Sequence, residues 1–253
     1  MKTKVLLNVI VLMALTISTA VAQKSKVVLF DMSHGQQDTL GLNLIKSYSE
    51  FVQKTPDASL TINREEITTA VLKKVDVLIV ITTLFPQRQK PISPMERQAM
   101  VEFVKNGGGL LLVCEADYRT KLEEYGANDI VKPFGMEYGV DCDVPANVGA
   151  IAFKGEICQA PRELPYSGGR TLYGGTPLSV VNYEGGYQHI ASTKLKNGGK
   201  IVAAGDAMAY FLLGKPAGEG ERFFMDRSLG LDNKWWGKDA RIFMQEVITW
   251  LLQ

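Results

Sequence analysis

Residues 26–30 read Lys-Val-Val-Leu-Phe, and the chain then turns polar at Asp31-Met32-Ser33-His34-Gly35. The same change recurs three times: at VDVLIVIT (75–82), at LLLVC (110–114) followed by Glu115-Ala116-Asp117-Tyr118, and at KIVAA (200–204) followed by Gly205-Asp206. Unbroken β-branched and aliphatic runs suit strands buried on both faces, as in a parallel sheet. Between them the apolar spacing is helical. Leu40, Leu44, Ile45, Tyr48, Phe51 and Val52 predict an amphipathic helix over 39–54. A short strand is expected at 59–63 and a helix at 65–74. Ser93-Pro94-Met95-Glu96 carries an N-cap, a proline at the first helical position and a capping-box glutamate, so a helix starts there. It runs to about Lys105 and stops at Gly107-Gly108-Gly109. Shorter helices are expected near 119–125 and 128–134, and Ile242, Val247, Ile248 and Leu251 mark a last one.

The pattern changes between Gly149 and Gly199, which hold ten glycines, with Pro145, Pro161, Pro165 and Pro177 in or beside the stretch. Helices tolerate this composition poorly. It predicts short antiparallel strands and loops, a β-rich insertion over about 140–195 on one side of the sheet. Alternating strands and helices imply an α/β fold, a mostly parallel sheet with helices on both faces. With no repeat and no low-complexity linker, 23–253 is read as one domain. Ligands of such sheets bind outside the carboxyl ends of the strands. That rule selects Asp31 to Gln36, Thr82 to Phe85, Glu115 to Tyr118, and Gly205-Asp206, and places all four on one rim.

Composition removes several function classes. With 28 Lys+Arg against 27 Asp+Glu, the chain has no basic footprint for nucleic acid. The first residues form a separate object. Lys2 and Lys4 precede an apolar run from Val5 to Ile17, and Ala20-Val21-Ala22 supplies small residues for a signal peptidase. Residues 1–22 are therefore expected to be an export signal cut before Gln23, leaving a periplasmic domain with no membrane span. Export permits disulfides, and a Cys142–Cys158 bridge is one reading of the three cysteines. Cys114 lies in an apolar run and reads as a buried hydrophobe.

Three segments together resemble the class I glutamine amidotransferase-like superfamily, a flavodoxin-like fold. They are LFDMSHGQ at the first strand end, SPMERQAMVEFVKNGGGLLLVCEAD through the capped helix and its strand, and GGKIVAAGDAMAYF with the closing DARIFMQEVITWLL. The resemblance covers most of 26–253, more weakly from 140 to 195. It is to an uncharacterised exported branch that is similar to the GIFT domains of gliding and intraflagellar-transport proteins. For function, the resemblance implies a carbohydrate-related role.

The chemistry such a fold can host is then narrowed residue by residue. Amidotransferases need a thiolate on a glycine-flanked strand-to-helix elbow and a downstream His-x-Glu. Cys114 has no flanking glycine, and His189 is followed by Ile190-Ala191. Ser33 beside His34 offers a second nucleophile, but adjacent side chains in an extended turn are not expected to meet, and Ser33 with Gly35 reads as a polar turn. His34 with Asp31, Glu115, Asp117 or Asp206 could hold a cation, and Glu115 with Asp117 could form a carboxylate pair. Tyr166, Tyr173, Tyr183 and Tyr187, with Trp235-Trp236, are candidates to stack on sugar rings, and Arg222 and Arg227 to meet an anion.

The sequence thus points to an exported, non-catalytic domain that binds a carbohydrate or similar polar ligand. The expected contacts are Asp31, Ser33, His34, Gly35, Thr83, Glu115, Asp117, Asp206, Tyr173 and Trp235. The alternatives are an exported hydrolase or other carbohydrate-active enzyme acting through His34, Glu115 and Asp206, and a scaffold that recognises a protein partner. No metal or cofactor is expected.

Overall fold

The structure, a computed structural model, describes residues 25–35, 39–83, 86–142, 144, 149–164, 166, 168–181, 183, 185–205 and 239–253. The export signal (1–22), Gln36, Phe85, Asp206, Arg222, Arg227, Trp235 and Trp236 lie outside the described residues.

Among the described residues, nine strands form one sheet in the order β2-β1-β3-β4-β11-β10-β9-β6-β7. One half is parallel: β2 (Ala58–Asn63), β1 (Lys26–Asp31), β3 (Val77–Ile81), β4 (Gly109–Val113) and β11 (Lys200–Ala204). The other half is antiparallel: β10 (Gln188–Lys194), β9 (Thr176–Val181), β6 (Ala150–Ala152) and β7 (Arg162–Leu164). The glycine-rich stretch thus supplies strands on one side of the sheet, beyond β11. Most of its strands extend the parallel sheet, because β10 uses the free edge of β11. Only β5 (Met136–Cys142) and β8 (Gly169–Gly174) pair apart from it, as a two-stranded ribbon.

The apolar strand runs serve two cores. Val28, Phe30, Val77, Ile79, Leu111 and Val113 face α1 (Thr39–Gln53) and α6 (Ala240–Leu252), meeting Tyr48, Phe51, Phe243 and Val247. The alternate residues Leu29, Leu78, Val80, Leu110 and Leu112 face α2 (Thr69–Leu72), α3 (Pro94–Lys105) and α5 (Ala127–Val131), meeting Leu72, Met100, Val104 and Ile130. Each enclosed aliphatic or aromatic side chain contributes about 1.5–3 kcal/mol. Among the described residues no helix is long and apolar enough to cross a membrane.

Helix α3 starts as its sequence dictates. Ser93 Oγ accepts from Glu96 N at 3.2 Å, Glu96 Oε2 accepts from Ser93 N at 2.9 Å, and Pro94 follows the cap. Helix α2 is shorter than the 65–74 span its sequence suggests. Asn63 and Glu96 hold residues 65–67 by their backbone, and Thr68 then caps a single turn by accepting from Val71 N. The pair of helices expected after β4 appears as α4 (Leu122–Tyr125) and α5, followed by a 3-10 turn at Lys132–Phe134. The three cysteines are free buried thiols, so the Cys142–Cys158 bridge is not formed.

Candidate functional site

Parallel register brings the carboxyl ends of β3, β4 and β11 level, with Ile81, Val113 and Ala204 paired across. The chain leaves these ends in linked steps. Thr82 N donates to Val113 O, Cys114 N to Ala204 O, and Glu115 N to Thr82 Oγ1 at 2.9 Å. Asp31 follows on β1, so the rim expected from the sequence does assemble among the described residues.

Its first constellation is centred on His34, which is 3 % exposed. Nδ1 lies 2.7 Å from Asp31 Oδ2 and 3.0 Å from Ser33 Oγ, and Nε2 lies 3.3 Å from Glu96 Oε1. Contrary to the expectation for adjacent residues, Ser33 and His34 do meet, because Asp31 gathers both. Its Oδ1 accepts from Ser33 Oγ at 2.6 Å, from Ser33 N and from Asn63 Nδ2. This is not a catalytic triad. In a triad the carboxylate and the serine occupy opposite ring nitrogens; here both share Nδ1, and Nε2 faces a second carboxylate. Burial by itself disfavours the imidazolium. The hydrogen bond and charge of Asp31, helped by Glu96, outweigh it and raise the His34 pKa above its ordinary value. Burial likewise opposes ionised Glu96, but the N–H groups of Ile67 and Ser93, together with His34, hold its carboxyl below the usual range. His34 is thus a charged strut between the β1 loop and the first turn of α3.

Gln89, a residue the sequence did not single out, ties three rim loops together. Its Nε2 donates to His34 O at 3.2 Å, and its Oε1 accepts from Thr83 N at 3.2 Å and from Thr120 Oγ1 at 3.3 Å. These partners follow β1, β3 and β4 respectively. Gly35 sits in the same knot at φ +102°, where a Cβ would collide with Arg88 O. Glycine is required there both for its backbone and for space.

The second constellation is built on Arg170, also missed. It enters from β8 and is 1 % exposed. Its Nε donates to Glu115 O at 2.7 Å, and its Nη2 donates to Thr120 O at 2.5 Å and to the Asp117 carboxylate. Asp117 N donates to both carboxylate oxygens of Asp141 at 3.0 Å. One buried guanidinium therefore shapes the whole turn after β4. The sequence carried one faint signal for it: Arg170 is the lone charge of β8, and a charge requires partners when buried. Glu115 is fully enclosed, with its carboxylate 3.8 Å from Arg119 Nη1.

The expected ligand residues therefore separate. Asp31, His34, Thr83 and Glu115 are buried in the rim's own bonding, whereas the Asp117 side chain is 57 % exposed. Ser33 and Gly35 are half-buried in the turn. Tyr173 is exposed but lies three residues beyond Arg170 along β8, paired with Glu137 and away from this rim. What opens beside Asp117 is a cavity of about 210 Å³ lined by Gln89, Asp117, Tyr118, Arg119, Lys121 and Glu124. Tyr118 is 66 % exposed, and the Arg119 guanidinium stacks 5.0 Å from its ring centroid.

Two of the candidate nucleophiles and bases are enclosed. Cys114 is fully buried, and burial pushes its thiol up to about 12. His189, beneath the Tyr166 ring and 2.9 Å from Ser179 Oγ, is pushed down to about 3 by burial. Among the described residues no group of three or more His, Cys, Asp or Glu is placed to hold a metal ion.

No family model matches the sequence, and no curated protein does. Solved structures do match. The N-terminal domain of mmIFT52 aligns with 89 % of this chain and 97 % of its own, at 14 % identity and a TM-score of 0.61. A ThuA-like protein from Bacteroides uniformis aligns over 92 % of this chain and 94 % of its own, at 14 % identity and a TM-score of 0.56. The exo-β-1,4-mannosidase Op5Man5 from Opitutaceae bacterium strain TAV5 aligns over 91 % of this chain but 36 % of its own, at 14 % identity and a TM-score of 0.52. This chain thus spans about a third of the mannosidase's length. The fold is the flavodoxin-like one of the class I glutamine amidotransferase-like proteins.

Proposed function

We propose that this protein is an exported, non-catalytic binding domain that holds a carbohydrate or similar polar ligand at the carboxyl-end rim. The observation that carries the reading is the cavity beside Asp117. It combines an exposed tyrosine ring with an amide, two carboxylates and two cations, the mixture that suits a hydroxylated ring with an apolar face. Its volume lies below the roughly 300 Å³ at which drug-sized sites begin, so the ligand is a single small ring or the end of a longer chain. The non-catalytic part rests on the enclosed Cys114 and on His34, both of whose ring nitrogens are engaged. Export rests on residues 1–22, and the carbohydrate class accords with the name of the mannosidase that shares the fold.

The test is a thermal-shift screen against mono- and oligosaccharides and uronic acids, with hits titrated by calorimetry. Ligand linkage predicts a melting rise for a true hit. Tyr118→Ala should weaken that hit by about tenfold, the scale of one lost aromatic contact. Tyr173→Ala should leave it unchanged. Turnover of a hit that disappears in Glu115→Gln would replace the binding reading with the hydrolase one. Silence across the panel would discard the carbohydrate assignment.

A further inference from the structure

The rim cavity is lined by one carboxylate that the fold holds in place without saturating it. Asp117 is gripped at two points. Its N–H donates to both carboxylate oxygens of Asp141 at 3.0 Å, and its Oδ1 accepts from Arg170 Nη2. That guanidinium is itself immobilised by the carbonyls of Glu115 and Thr120, at 2.7 and 2.5 Å. Asp117 Oδ2 forms no hydrogen bond with another described residue, and the side chain is 57 % exposed beside the cavity. An ionised carboxylate accepts hydrogen bonds and donates none. One that is fixed before its ligand arrives loses little entropy on binding.

The neighbouring groups decide what can meet that oxygen. Tyr118 is the next residue, and one face of its exposed ring is taken by the Arg119 guanidinium, which leaves the other face open. The cations around the cavity already face carboxylates. Lys121 pairs with Glu124 at 3.2 Å, Arg119 lies 3.8 Å from Glu115, and Arg170 faces both Asp117 and Asp141. Within this group the carboxylates outnumber the cations by one. An anionic ligand would therefore enter against a surplus of its own charge.

We propose that the ligand of this cavity is a neutral sugar ring bound through two adjacent hydroxyls, and that Asp117 is the residue that selects it. The proposal rests on the carbohydrate reading given above and narrows it. One hydroxyl donates to Oδ2 and its neighbour to the remaining lone pair of Oδ1. The apolar face of the same ring covers the open face of Tyr118. A uronic acid of the same shape meets the negative surplus, and a ring lacking one of the paired hydroxyls leaves an acceptor unused.

Calorimetric titration of the whole protein with methyl glucoside, methyl mannoside and methyl galactoside, each beside its uronate, tests the assignment. At least one neutral glycoside should bind saturably, with its uronate at least about tenfold weaker. Raising salt about tenfold should leave the neutral affinity within about twofold, because the ligand carries no charge to screen. Asp117→Asn keeps an acceptor for Arg170 but loses the second carboxylate oxygen. It should weaken the neutral glycoside at least about tenfold, the scale of a charge-assisted hydrogen bond, with a melting temperature near that of the wild type. Equal or tighter binding of the uronate overturns the proposal and leaves the carbohydrate reading standing. Undiminished binding to Asp117→Asn does the same. If neither neutral glycosides nor uronates bind, the carbohydrate reading fails and the proposal fails with it.

Discussion

Replacing His34 with glutamine tests the charged strut most directly. The folded His34 has a raised pKa, so its stabilisation is fully present below the ordinary histidine value and is lost as pH rises through the folded one. Glu96 has a lowered pKa, so its share is present above the ordinary carboxylate value and is lost as pH falls through the folded one. Both are in force between the ordinary carboxylate and the ordinary histidine values. Glutamine removes the 2.7 Å bond to Asp31 and the longer 3.3 Å contact to Glu96. Each carboxylate keeps other donors: Asp31 those of Ser33 and Asn63, Glu96 those of Ile67 and Ser93. The loss is therefore smaller than that of stranding a buried charge, about 3 kcal/mol at pH 6 from one strong and one weak charge-assisted bond. For a chain of this size that lowers the melting temperature by roughly 6–12 °C. Calorimetric melts of both proteins from pH 5 to 10 should show the gap narrowing on the alkaline side, as wild-type His34 itself becomes neutral. A gap that stays constant over the whole range would refute the charged strut and leave His34 as packing alone.

Arg170→Met should be the more damaging change, at about 3–5 kcal/mol, because it leaves the carbonyls of Glu115 and Thr120 without their buried donor. Urea melts should show it as a lowered midpoint with an unchanged slope. The thiols of Cys114 and Cys158, both pushed up to about 12, should resist a thiol reagent at pH 8 in the folded protein and react at once in urea. Rapid labelling of Cys114 under native conditions would contradict its burial.

The sequence was most legible where the physics is local or periodic. The four apolar runs became β1, β3, β4 and β11, and Ser93 with Glu96 formed the cap that their spacing implies. The rim followed from strand direction alone. What escaped were contacts made across loops. Glu96 is readable as a cap, but not as the partner of His34, since 62 positions and a folded sheet separate them. Gln89 has no distinguishing context, and Arg170 acquires its role only when β8 lies against the turn after β4. The insertion was legible only in part, for a related reason. Glycine content marks strands and turns, but does not say which edge the strands will join.

That edge has a kinetic meaning. Strand β11 pairs on one side with β10, which it meets after a turn at 195–199, and on the other with β4, roughly ninety positions earlier in the chain, where closure costs more entropy. The β9-β10-β11 meander can assemble from neighbours, while the parallel half waits for distant strands to find each other. β11 is thus the seam at which a fast-forming piece docks onto a slow one. Slowing that docking leaves the β11 edge exposed as a template for other chains, an aggregation hazard that belongs to the folding route rather than to the finished protein.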